Sequence, residues 1–195
     1  MKTRLAAEIG ADAALRVYRR LAEHAVAEAR ALGSDVALRI HFTPADAEAA
    51  VRRWLGDGGA VYLPQADADL GGRMRAAFEA AFADGHRRVA VIGSDLPGLT
   101  VGLLRQALDS LDHHPAVLGP AHDGGYYVLG LRAMIPDLFH HIPWSTAHVF
   151  DATMARLGAL GLAPALLPAL GDVDVAADLP EGWRAWAAGE REVAA

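Results

Sequence analysis

The sequence predicts a single α/β domain, residues 1–195, built around a mainly parallel sheet with an antiparallel insertion. Two observations lead to that class. Short apolar runs rich in β-branched residues alternate with stretches of helical periodicity, the pattern of strands joined by crossover helices. One pair of runs, 116–118 and 126–131, is separated by a turn too short for a crossover helix, so the second run lies antiparallel to a neighbour. A length of 195 residues and a hydrophobic content of 53% suffice for one domain with a substantial core.

In chain order, apolar residues from Asp12 to Leu32 fall on a helical face through Leu15, Tyr18, Leu21, Ala22, Ala25, Ala29 and Leu32, and Gly33 ends that helix. A strand is expected over 36–42. Thr43 then reads as an N-cap with Pro44 in the first helical position and Asp46 as a capping acid, opening a helix that turns Ala47, Val51, Trp54 and Leu55 inward. The glycine cluster 56–59 stops it. A strand at 60–63 precedes a polar, glycine-bearing segment and a helix over 73–83 whose apolar stripe is Met74, Phe78 and Phe82. Val89–Ile92 reads as a strand buried on both faces. Its loop leads to Thr100, an N-cap for a helix that presents Leu103, Leu104, Ala107, Leu108 and Leu111 on one face. After the tight strand pair, 136–139 is at most one helical turn. Ser145 is the expected cap of a helix with Val149, Phe150, Thr153 and Leu157 inside. A last strand is expected at 165–167, and 181–195 reads as one short helix with Trp183 and Trp186, then a frayed tail.

Composition narrows the function. Lys and Arg number 18 against 24 Asp and Glu, a net charge of −6 without blocks, which argues against a nucleic-acid surface. With no cysteine, disulfide, thiolate and cysteine-zinc chemistry are excluded. No apolar run approaches a membrane span and no signal-peptide pattern opens the chain, so a cytoplasmic location is expected. The nine histidines follow no metal-binding spacing, and neither a GxSxG elbow nor a Walker A motif is present.

Acidic loops carry the remaining signal. Asp95 follows one expected strand, Asp123 lies in DGGYY after another, and Asp172 and Asp174 lie in GDVDVAADL after a third. Carboxylates gathered at strand ends are the donors a hard cation such as Mg²⁺ or Mn²⁺ takes, shared with substrate phosphates. Each alone could equally cap a helix or tighten a turn. Gly124 and Gly125 permit close approach of a ligand or simply make the turn. Tyr126 and Tyr127 alternate along a strand, so one is core and the other could meet a ligand. Lys2 and Arg4 are candidate phosphate donors or a solvated charge pair, and Arg73 stands where a helix start could bind an anion.

The segments KTRL, QADADLGGRM, IGSDLPGLT, GPAHDGGYYVLGL, IPWST and DVDVAADL, in this order, resemble a family of bacterial glycosyltransferase-A-like proteins related to sugar-nucleotide and molybdenum-cofactor-type nucleotidyltransferases. The resemblance spans nearly the whole chain. It implies a three-layer nucleotide-diphospho-sugar transferase (GT-A-like) fold and a metal-dependent transferase using a nucleotide-activated substrate, with glycosyl transfer first. Nucleotidyl transfer from an NTP with release of pyrophosphate, or nucleotide binding without catalysis, are the alternatives. It places Asp95 and Asp123 in catalysis, and Asp95, Asp172 and Asp174 around Mg²⁺ or Mn²⁺. Lys2, Arg4, Gln65, Arg73 and Ser94 would meet the nucleotide and its phosphates, and Gly124, Gly125, Tyr126, Trp144, Ser145 and Thr146 would line the substrate pocket. The expected partners are a nucleotide-sugar or NTP and a small-molecule acceptor. Relatives begin with an apolar strand and a Pro/Gly loop ahead of KTRL, so the usual first strand and nucleotide loop are absent from this sequence. A start placed too late is the favoured explanation, and strand edges exposed in this way could pair two copies into a homodimer.

Overall fold

A computed structural model describes residues 2–189. Helices α1 (Thr3–Ile9) and α2 (Ala11–Arg30) come first, followed by β1 (Arg39–Phe42), α3 (Glu48–Leu55), β2 (Val61–Pro64) and α4 (Leu70–Ala83). The second half holds β3 (Val89–Ile92), α5 (Val101–Ser110), β4 (Ala116–Pro120), β5 (Tyr126–Leu131), α6 (Val149–Ala159), β6 (Ala165–Leu166) and α7 (Trp183–Ala188). A 3-10 turn, Pro136–Phe139, precedes α6, and another, Ala176–Asp178, precedes α7. Met1 and the tail expected beyond α7, residues 190–195, lie outside the described residues.

The strands form two sheets. One is β1–β2, parallel; the other has the order β3-β5-β4-β6. Strand β5 runs antiparallel to both β3 and β4, while β6 is parallel to β4, so the expected antiparallel insertion is the strand between β3 and β4. Between β1 and β3 no backbone ladder forms among the described residues. Side chains join them instead: Leu38, just before β1, packs into the same apolar cluster as Ala90 and Ile92 of β3. Arg39 Nη2 also reaches Asp84 Oδ2 at 2.6 Å and His86 Nε2 at 3.2 Å in the segment leading to β3.

This arrangement corrects the expectation for Val89–Ile92. All four residues are only half-buried, because among the described residues β3 is paired on one side alone and its other edge is open. The doubly covered strands are β4 and β5, whose residues are almost all buried. Two apolar layers flank them. Leu104, Ala107, Leu111, Val117, Tyr127 and Val128 belong to one, and Met74, Phe78, Leu118, Leu129, Leu131, Leu138 and Leu157 to the other.

Several local expectations also shift. The N-terminal helical segment breaks at Gly10, whose φ of +86° suits only glycine without strain, so a separate helix precedes α2. The buried face of α2 runs through Ala13, Ala14, Val17, Leu21, Ala22, Ala25 and Ala29, and Leu15 is 44% exposed. Thr43 does not cap α3. Residues 44–47 first close a turn, with Ala47 N–H donating to Pro44 O at 3.0 Å, and the helix starts at Glu48 without a side-chain cap. Val51 and Leu55 pack inward as expected, whereas Trp54 turns to α2, its Nε1 donating to Glu23 Oε1. Helix α4 starts three residues earlier than expected because Asp69 caps it, accepting from Gly72 N–H at 2.8 Å. Thr100 caps α5 as expected, accepting from Leu103 N–H. Ser145 does not cap α6. Thr146 Oγ1 instead donates to Pro143 O and accepts from His148 N–H, a local turn that delays the helix to Val149.

Candidate functional site

The acidic loops converge at the carboxyl ends of the four-stranded sheet. Asp95 stands three residues beyond β3, and its carboxylate folds back over Gly93, where an added Cβ would lie 3.2 Å from Asp95 Oδ1. The loop is pinned from both sides. His24 Nε2 contacts Leu99 O at 2.8 Å, and Glu28 Oε2 accepts from Val101 N–H at 2.6 Å. Val173 N–H donates to Asp95 O at 3.2 Å, tying this loop to the segment that carries Asp172 and Asp174.

A single cation of the chain holds the two loops together. Lys2 Nζ donates to Asp95 Oδ2 at 3.1 Å and to Asp174 Oδ1 at 3.4 Å. Its side chain is only 8% exposed, against 42% for Asp95 and 44% for Asp174, so the ammonium is buried beneath carboxylates that face solvent. Arg4 Nη1 approaches the other oxygen of Asp174 at 3.5 Å and is 77% exposed. Lys2 is therefore a covered partner of the acids, while Arg4 touches Asp174 and stays largely solvated. Asp172 is the acid least at ease here. Burial first, and then the negative charges of Asp123, Asp174 and Asp95, push its carboxyl above the ordinary value, opposed in part by a backbone hydrogen bond.

Two residues passed over in the sequence hold this arrangement in place. Asp178 Oδ2 accepts from the backbone N–H groups of both Asp174 and Val175 at 2.9 Å, and Glu8 Oε2 accepts from Ala176 N–H at 2.8 Å. No capping residue stands three positions before Asp178, where the sequence has Val175, so its role emerges only in the fold. Nothing in sequence marks Glu8, which acts across the fold. His122 is a third: its backbone N–H donates to Leu170 O, and its imidazole packs against Gly171 beside Asp172.

The remaining candidates form a band next to the acids. Asp123 Oδ1 accepts from Gly125 N–H at 2.8 Å, closing the DGG turn. Gly124 has φ +87°, and a Cβ there would overlap Ala147 O, so its glycine serves the close approach of the 144–148 loop. Phe150 N–H donates to Gly124 O at 2.9 Å across the same junction. Ser145, within that loop, has a left-handed φ of +62°. Trp144 lies on Gly71 of α4, where a Cβ would overlap the indole nitrogen. Arg73 donates to Ala68 O at 2.8 Å and to Gln65 Oε1 at 3.2 Å, so these two candidates pair with one another. Ser94 is exposed next to Asp95. Both tyrosines enter the core: Tyr127 is buried in one layer, and Tyr126 packs on the other with a hydroxyl that lacks a partner among the described residues. Burial raises the Tyr126 phenol well above its usual range.

Among the described residues no three His, Asp or Glu side chains are arranged ready to hold a metal ion. The donor chemistry nevertheless fits a hard divalent cation. Two carboxylates converge on one positive charge, Lys2 Nζ, and Mg²⁺ in particular uses one or two carboxylates and completes its shell with water and phosphate oxygens.

Comparison with known proteins fits the fold. A crystal structure of a protein from Desulfovibrio desulfuricans G20, called a "putative nucleotide-diphospho-sugar transferase", matches 90% of this chain and 76% of its own with 36% identity and a TM-score of 0.83. The structure of CMP:2-keto-3-deoxy-manno-octonic acid synthetase complexed with CTP shares the fold at 15% identity and a TM-score of 0.53, over 87% of this chain and 88% of that one. No curated protein matches the sequence. Within the described residues no helix is long and apolar enough to cross a membrane. The family model described as "Uncharacterized protein conserved in bacteria (DUF2064)" matches residues 25–146, more than half of the chain, which therefore belongs to that family.

Proposed function

We propose that this chain is a transferase acting on a nucleotide-activated substrate, with glycosyl transfer from a nucleotide-sugar to a small-molecule acceptor as the reaction and Mg²⁺ or Mn²⁺ as cofactor. The observation that carries the proposal is the convergence of Asp95 and Asp174 on one positive charge at the carboxyl ends of the strands, where open α/β sheets bind ligands. The 36% identity to a protein called a putative nucleotide-diphospho-sugar transferase supports it.

When bound, the cation would offset charge that builds on the diphosphate as it leaves the sugar. Asp95 and Asp174 are the carboxylates that would hold it, with Asp172 beside them. Lys2 brings an N–H donor to both carboxylates, and Arg4 brings one to the second oxygen of Asp174. Asp123 is exposed and uses only Oδ1 to close its turn, which leaves Oδ2 available to accept the acceptor's hydroxyl proton. The acceptor oxygen then bonds to the anomeric carbon as that carbon's bond to the phosphate oxygen breaks. The 144–148 loop, locked to Gly124, would form the wall on the acceptor side.

Thermal shift with UDP-sugars, GDP-sugars and NTPs, each with and without Mn²⁺, tests the binding reading. Stabilisation by a nucleotide-sugar only with Mn²⁺ is expected, and its loss in Asp95→Asn at an unchanged circular dichroism spectrum. Failure of every cation–nucleotide pair to stabilise the chain would sink the proposal. Product analysis separates the reactions: glycosyl transfer releases a nucleoside diphosphate, whereas pyrophosphate from an NTP would establish nucleotidyl transfer instead.

A further inference from the structure

We infer that Lys2 is a resident counter-ion which a divalent cation must displace from Asp95 and Asp174, so that cation and diphosphate bind as a coupled pair. The inference rests on the cation-dependent reading above and adds to it the order of events at the site.

A buried ammonium needs anionic partners, and at 8% exposure Lys2 has little water to turn to. Its partners at 3.1 and 3.4 Å are the two carboxylates best placed to take a divalent ion. Both cations cannot share them, because like charges a few ångströms apart in a partly desolvated site repel strongly. The backbone of Lys2 is fixed, since its carbonyl accepts from Ala6 N–H at 2.9 Å and it stands at the start of α1. Only the four-carbon stem can swing. Once displaced, the ammonium needs a new anion at the same place, and a diphosphate coordinated to the incoming cation supplies its oxygens there. A cation arriving alone leaves the ammonium buried without a partner, and a diphosphate arriving alone finds the ammonium held by the carboxylates or draws it away and leaves them uncovered. Each ligand therefore strengthens the other, and linkage makes the effect reciprocal. Arg4 cannot serve this role. It is 77% exposed and retains its hydration whether or not Asp174 is engaged.

The test is titration of Mn²⁺ onto the full chain, followed by calorimetry and by the electron paramagnetic resonance of free Mn²⁺, without and with saturating UDP. For the unaltered chain, UDP is expected to tighten Mn²⁺ binding about tenfold or more. Lys2→Met should bind Mn²⁺ alone about fivefold or more tighter than the unaltered chain and lose most of the UDP enhancement. Lys2→Gln, which keeps a donor without the charge, should behave alike and guards against misfolding of the methionine variant. Arg53→Met removes the same charge from an exposed position on α3, outside the site, and should leave the coupling within about twofold. Equal Mn²⁺ affinity of the unaltered chain and both Lys2 variants, with binding still abolished by Asp95→Asn, would overturn the role of Lys2 and leave the cation site standing. Absence of Mn²⁺ binding in every variant at any UDP or GDP concentration would overturn the cation site and Lys2's role together.

Discussion

Strands β3 and β5 are neighbours of similar apolar composition, yet β5 is almost wholly buried and each residue of β3 is half-exposed. The difference comes from position. Strand β5 has a ladder on both sides, whereas β3 and β1 each present an open edge, joined across the sheet opening by Leu38, Ala90, Ile92 and the Arg39 contacts. Fold stability is therefore concentrated in β4 and β5, and the β1–β2 pair is held mainly by side chains. The candidate site straddles the two regimes, since Asp95 and Asp172 follow the edge strands β3 and β6 while Asp123 follows the doubly paired β4.

The sharpest way to break this contrast is to truncate one side chain in each region. Leu129 of β5 is 0% exposed, so Leu129→Ala should destabilise the fold by about 3 kcal/mol. Val61 of β2 is 48% exposed, and Val61→Ala should change stability by no more than about 0.5 kcal/mol. Urea denaturation of both variants checks the pair; equal losses would show that the sheet is uniformly held.

A smaller effect is expected at the cluster of acids. The Asp172 carboxyl is raised by burial and by Asp123, Asp174 and Asp95, so its charged form opposes folding above its folded pKa. Asp172→Asn should raise the thermal midpoint at pH 7, with the gain shrinking as pH falls through the raised value and vanishing below the ordinary carboxyl pKa. A midpoint that does not rise at pH 7 would mean that neither burial nor the neighbouring charges make the ionised carboxylate costly to the fold.

The smallest effect is confined to β1. Burial, and then the charge of Arg39, hold the His41 imidazole below its ordinary value near 6.5. The unfolded chain thus binds a proton before the folded one, and stability is lost as pH falls from the ordinary value to the depressed one. His41→Gln should remove that slope. Hydrogen exchange of β1 and β2 amides between pH 7 and 5 is the measurement, and an unchanged slope would place the acid sensitivity elsewhere.

Much of this fold is legible in the residues themselves. Thr100 as a cap, the alternating strands and helices, and the antiparallel β5 all follow from local pattern, as does the stripe Met74, Phe78 and Phe82. Expectations failed where a competing local bond intervened: the turn at 44–47 displaced the Thr43 cap, and the hydrogen bonds of Thr146 displaced that of Ser145. The acids of the candidate site stand out in sequence because each follows a strand. Their supports do not, since Glu8 and Asp178 act on backbone N–H groups whose need for a partner exists only after folding.

By itself, then, the sequence determined the elements, the fold class and the acids at the strand ends, because those depend on periodicity and turn chemistry acting within a few residues. Only the tertiary structure decided that β3 is an edge strand, that Tyr126 and Tyr127 are both core, and that Lys2 bridges Asp95 and Asp174. Lys2 lies 93 residues from Asp95 and 172 from Asp174 along the chain. Burial and charge pairing over such separations are set by which surfaces meet when the layers pack, and no local pattern encodes that meeting.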